Sequence, residues 1–129
     1  SIERIIELTG ENETARLALL AGIFDSDGGL RGNSIGQSTA SLKLRDEVVT
    51  LLREKGMSVI IGEWINKKYN KKYYDWKIRR LASIRDFVLK IPLRNAKKLN
   101  RIKERFGLSA GGRIFKGKSF SFPTVFSFF

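Results

Sequence analysis

The chain has 129 residues, 42% of them hydrophobic, which is enough for one compact domain with a core of ordinary size and excludes a disordered chain. It contains no cysteine and no histidine; this removes disulfides, thiolate nucleophiles, zinc ribbons and Ser–His or Cys–His pairs, and leaves oxygen as the ligand type for any metal, which favours magnesium- or calcium-like ions. The formal charge of +12 is uneven, with seven basic and ten acidic side chains in residues 1–64 but eighteen and three in residues 65–129. That asymmetry points to a polyanionic partner, nucleic acid first, with an acidic membrane or an RNA-rich complex behind it and a merely solvated basic surface as the bland alternative.

In chain order, residues 1–10 (SIERIIELTG) read as a short amphipathic helix ending at Gly10, part of an N-terminal extension over residues 1–12. Asn12 then offers an N-cap and Glu13 an acid in the first turn of a helix from about Glu13 to Phe24. Its Leu17, Leu20 and Phe24 form a core stripe, while Ala15, Ala18 and Gly22 form a second stripe small enough to let another helix approach closely. The apolar run Leu17 to Phe24 is too short to span a bilayer, and Glu3 and Glu7 stand where a signal peptide would be basic. A cytoplasmic or organellar protein with no membrane partner is expected.

Gly28 to Ser41 reads as a short hairpin turning at Gly32-Asn33. Ser41 caps a helix through Lys55, with Leu44, Val48, Leu51 and Leu52 on one face and Gly56 as its stop. Val59–Lys68 and Lys72–Leu81 read as strands joined at Tyr69-Asn70-Lys71. Tyr74, Trp76 and Ile78 alternate with Tyr73, Asp75, Lys77 and Arg79, so one face of the ribbon is apolar and the other charged. Ser83 caps a further helix stopped by Pro92, and Asn95 starts a last one closed by Gly107. The expected class is α+β, an αββαββα unit over residues 13–108 whose four-stranded antiparallel sheet carries helices on one face and a basic hairpin on the open one. The Phe/Ser-rich segment 109–129 has no assigned role.

The stretch Leu20-Ala21-Gly22-Ile23-Phe24-Asp25-Ser26-Asp27-Gly28 resembles the signature of the LAGLIDADG homing endonucleases. Ser38-Thr39-Ala40-Ser41-Leu42 and the leucine-rich helix after it resemble repeats of intein-borne members. The resemblance implies a sequence-specific endonuclease hydrolysing phosphodiester bonds of double-stranded DNA with Mg2+ or a similar cation. Asp27 is then the metal ligand, Ser26 lends its backbone carbonyl, and Asp25 is structural, satisfying backbone donors. A lysine near the start of the helix after the second hairpin, Lys97 or Lys98, is the implied catalytic cation. Some relatives place a glutamine where this chain has Ala40.

One copy of the motif implies a homodimer packed through Ala15, Ala18 and Gly22 with a near-palindromic site, or one half of a larger protein. A chain ending in Phe129 without a His-Asn pair is not expected to be a whole self-splicing intein. DNA contacts are expected from Arg31, Gln37, Lys67, Lys68, Lys71, Lys72, Lys77 and Arg79: Lys77 and Arg79 at base edges, Lys68, Lys71 and Lys72 at phosphates. The competing class is a non-cleaving DNA-binding regulator or an intron RNA maturase on the same fold.

Overall fold

A computed structural model describes residues 12–108; the expected helix over residues 1–10 and the segment 109–129 lie outside the described residues. Helix α1 (Glu13–Asp27) leads into strands β1 (Gly29–Arg31) and β2 (Ser34–Thr39). Helix α2 (Leu42–Glu54) follows, then β3 (Ile60–Asn66), β4 (Lys71–Ile78), α3 (Leu81–Lys90) and α4 (Ala96–Arg105). The described residues fall into two compact units divided between Arg94 and Asn95.

Local chemistry sets the boundaries. The Asn12 side chain accepts the N–H of Ala15 and the Ser41 side chain that of Leu44, each filling an orphan donor of a first turn. Gly32 takes φ +62° in the two-residue loop between β1 and β2, a conformation that favours glycine. Gly56, with φ +89°, closes α2 as expected. One cap is displaced. Helix α3 starts at Leu81 rather than after Ser83, and its cap residue Arg80 makes no side-chain bond. Ser83 lies inside the first turn, buried, where its hydroxyl accepts the N–H of Ser58 at 2.9 Å. A backbone donor in the loop before β3 claims the serine that would otherwise cap its own helix.

The four strands are ordered β1-β2-β4-β3, every neighbour antiparallel. Ile35 lies opposite Ile78, Gln37 opposite Trp76 and Thr39 opposite Tyr74, so these residues share one face. On it Trp76 and Ile78 are fully buried, as the alternation predicts. Phe24 of α1 and Phe87 of α3 meet edge to face at 4.8 Å, and both rings lie within about 6 Å of Trp76. Such contacts add about 0.5–1.5 kcal/mol per pair beyond the burial itself. The Trp76 indole donates to Gln37 Oε1 at 3.4 Å, which gives the buried N–H a partner.

An unexpected residue ties α2 to the second hairpin. Arg45 is 7% exposed, and its Nη1 donates to the carbonyl oxygens of Gly62 at 2.9 Å and Asp75 at 3.3 Å. Its Nε donates to Asp46, and the guanidinium lies 5.6 Å from the Tyr74 ring centre. In the second unit, α4 is capped by Asn95, whose side chain accepts the Lys98 N–H, and Gly107 takes φ +70° after the helix.

Candidate functional site

The end of α1 is built differently from the sequence expectation. The helix does not stop at Phe24 but carries Asp25, Ser26 and Asp27 in its last turn. The Gly28 N–H still bonds the Phe24 carbonyl at 2.8 Å, and the chain becomes extended only at Gly28. Gly28 is needed for space rather than for conformation: a Cβ there would stand 2.2 Å from Phe24 Cδ1. The glycine therefore lets the buried Phe24 ring pack against the backbone where the chain leaves the helix for the sheet.

The two acids have different surroundings. Asp25 is half-buried, and its Oδ2 accepts the backbone N–H of Arg94 at 2.8 Å. It satisfies a backbone donor as expected, though the donor comes from the segment after α3. Asp27 is exposed, and among the described residues its carboxylate has no hydrogen bond or ion pair. Ser26 folds its hydroxyl back onto the Gly22 carbonyl at 3.0 Å. Along the same side of α1, Ala18 and Gly22 are exposed and Ala15 half-buried, and a Cβ built on Gly22 meets nothing within 4 Å. The small-residue stripe thus faces outward, and Asp27 ends the helix five residues after its last member, Gly22.

No group of three acids able to hold a metal occurs among the described residues. Lys97 and Lys98 stand in the first turn of α4, in the second unit, Lys97 exposed and Lys98 half-buried.

The other candidate region is the sheet face away from Trp76. Strand register places Arg31, Ser38, Trp64, Lys71, Tyr73, Asp75 and Lys77 on it. Lys67 and Lys68 lie in the turn after β3 and Arg79 just beyond β4, all exposed. Two expected contacts do not join them. Gln37 shares the face of Trp76 and is 2% exposed, so it is a core residue and not a DNA contact; parity with Ile35 turns it inward and the Trp76 indole engages its oxygen. Lys72 lies opposite Ile65 on the helix-side parity and pairs with Glu63 at 3.2 Å.

What sequence reasoning missed on the open face is the aromatic pair. Trp64 and Tyr73 stack with ring centres 4.7 Å apart and planes at 18°. The available signal was their odd–even relation across the hairpin, which pairs them directly.

Comparison with known proteins places this architecture. Residues 14–92 match the LAGLIDADG-like domain family, well over half of the chain. The chain is also similar, at 34% identity over 87 residues, to a replication factor C small subunit of Methanocaldococcus jannaschii. That match covers 67% of this chain but 5% of the relative's length. No helix among the described residues is long and apolar enough to cross a membrane. The motif at the end of α1, the four-stranded antiparallel sheet and the match over residues 14–92 together make this chain a member of the LAGLIDADG homing-endonuclease family.

Proposed function

We propose that the protein is a sequence-specific endonuclease of double-stranded DNA, acting as a homodimer with a divalent cation such as Mg2+. The observation that carries this reading is the exposed Asp27 at the end of an outward face of Ala15, Ala18 and Gly22. Two copies of α1 meeting on that face can approach closely, because Ala15, Ala18 and Gly22 present nothing larger than a methyl. Each then brings one Asp27 carboxylate to the junction. Two carboxylates at the negative ends of two helices repel unless positive charge lies between them.

Among the described residues one copy offers no group of three acids for a metal site. A pair supplies two carboxylates and two Ser26 carbonyls, a hard-oxygen set that fits a magnesium-like ion. A divalent cation held there supplies a nucleophile at neutral pH and stabilises the leaving oxygen of an in-line displacement. The chain's own part is to hold that ion through Asp27, to keep Asp25 engaged with the Arg94 backbone, and to set the duplex across the sheet. Arg31, Lys71 and Lys77 on the open face, with Lys67, Lys68 and Arg79 at its margins, supply positive charge for the phosphates and donors for base edges. The relative's name describes a whole protein of which a twentieth matches, and nothing of that name is carried over.

The test is incubation with a randomised duplex library and magnesium, followed by sequencing of new ends. Cleavage at a defined near-palindromic site is expected, lost in Asp27→Asn while duplex binding remains. An Asp27→Asn protein that cleaves at the parent rate overturns the reading. A parent that binds DNA but never cuts supports a regulator, and one that prefers structured RNA supports a maturase. Lys97→Ala and Lys98→Ala, made separately, identify the lysine whose loss slows cleavage at unchanged affinity.

A further inference from the structure

We infer that Trp64 and Tyr73 are specificity-determining residues that read the 5-methyl groups of thymines in the major groove; this rests on the duplex-DNA reading above. Trp64 is a large apolar side chain, 43% exposed on a mostly polar sheet face that it shares with the exposed Ile60, opposite Lys77. Its indole reaches from β3 across β4 and donates its N–H to Ser38 Oγ on β2 at 3.3 Å. Arg31 Nη1 donates to the same oxygen at 3.2 Å. A serine oxygen has two acceptor positions, and both are filled. Trp64 is therefore fixed from three strands, and its one polar hydrogen is already spent inside the protein. What it offers outward is carbon.

Tyr73 is held likewise. Trp64 stacks on its ring and the Lys71 ammonium lies 5.6 Å from the ring centre. With one face of Trp64 stacked on Tyr73, the pair presents a surface that is apolar apart from the Tyr73 hydroxyl, amid Arg31, Lys71 and Lys77. The partner such a patch fits is a polyanion carrying a small apolar group at groove depth. In duplex DNA the thymine methyl is that group, and it is displayed in the major groove that a two-stranded ribbon can enter. Stacking of an unpaired base requires a single strand, whereas the reading above is of duplex DNA.

The experiment uses the full chain. Duplexes selected by the protein from a randomised library are resynthesised with thymine or with deoxyuridine at every thymine position, and the two forms are compared for affinity at one salt concentration. Loss of one contacted methyl is expected to weaken binding about fourfold, the worth of one buried methylene-sized group. Trp64→Ala brings the thymine-to-uracil ratio to one, and Lys77→Ala leaves the ratio unchanged while lowering affinity for both forms. Trp64→Phe, which keeps an apolar ring, retains part of the ratio. The parent's ratio needs no variant, so a misfolded Trp64→Ala does not shield the idea. A parent ratio of one, with salt-dependent duplex binding intact, overturns the methyl reading and leaves the duplex reading standing. Tighter binding to a single-stranded oligonucleotide than to the duplex overturns it in favour of base stacking. Absence of any duplex binding overturns both.

Discussion

Replacing Arg45 by Met should destabilise the first unit by about 3 kcal/mol. Methionine keeps most of the stem volume and removes the guanidinium. The Gly62 and Asp75 carbonyls then lose a charged donor each. Hydrogen bonds to charged groups contribute about 1.5–3 kcal/mol apiece. Against the summed loss stands the relief of no longer desolvating a cation, a cost that Asp46 offsets in the parent from an exposed position. The net sits near the lower end of the summed range. For a unit of this size, about 3 kcal/mol moves a thermal midpoint by roughly 12–24 °C. The chain has two tryptophans, one buried beneath α1 and α3 and one on the open hairpin face, so fluorescence of a Trp64→Phe background reports Trp76 and the core alone. Arg45→Lys should fall between parent and Met, because an ammonium keeps the charge but not the planar group whose Nη1 meets both carbonyls while Nε meets Asp46. A midpoint for Arg45→Met within about 2 °C of the parent would mean that the two carbonyls are satisfied without Arg45, and the account of how α2 holds the second hairpin would be wrong.

Gly28→Ala should cost about 1–3 kcal/mol, since the new methyl meets the Phe24 ring and the buried ring must leave its place between Trp76 and Phe87; denaturant melts check this, and an unchanged midpoint refutes the close approach. Lys71→Ala should weaken all duplexes alike and lower the salt slope by about one, whereas Lys72→Ala, on the other parity and paired with Glu63, should change the slope less; anisotropy titrations over a salt series decide. Lys55 beside Glu13 holds that carboxyl below its ordinary value of 4.5. The pair's contribution is therefore present above that value and lost as pH falls through the lowered one. Midpoints of the parent and Glu13→Gln should converge in that acid range and differ above it; equal midpoints at neutral pH would show that the pair adds nothing.

Much of this fold is legible in the sequence because each element is marked twice, by its period and by its cap. Asn12, Ser41 and Asn95 cap their helices as read, and Gly32 and Gly56 turn where the pattern asks. Two features are not legible, for one shared reason: the competing partner is distant in sequence. Ser83 looks like a cap until the loop at Ser58 requires an acceptor. Arg45 looks like a solvated arginine beside an apolar stripe until β3 and β4 arrive with carbonyls to satisfy. Gln37 differs from these two: its residue type suggests a DNA contact, but its parity with Ile35 turns it inward. The site divides the same way. The motif identifies Asp25 and Asp27, but their separation into one engaged and one exposed carboxylate depends on Arg94, far along the chain.

That separation answers an electrostatic difficulty within a single copy. Negative charge is unfavourable at a helix C-terminus, by about 0.3–1 kcal/mol at an exposed position. Helix α1 ends with two such charges and has no basic residue in its last turn. Asp25 recovers part of the cost through the Arg94 N–H, a charge-assisted bond that also ties the end of α1 to the segment following α3. Asp27 has no such recovery among the described residues and is exposed at the end of a helix that carries an outward stripe of small residues. A residue that costs stability, gains no partner among the described residues and ends a helix with an outward small-residue stripe is one that the proposed assembly would account for. The proposed second copy and divalent cation meet that requirement together: the stripe admits the helix, the helix brings the second carboxylate, and the pair of carboxylates creates the demand for the ion.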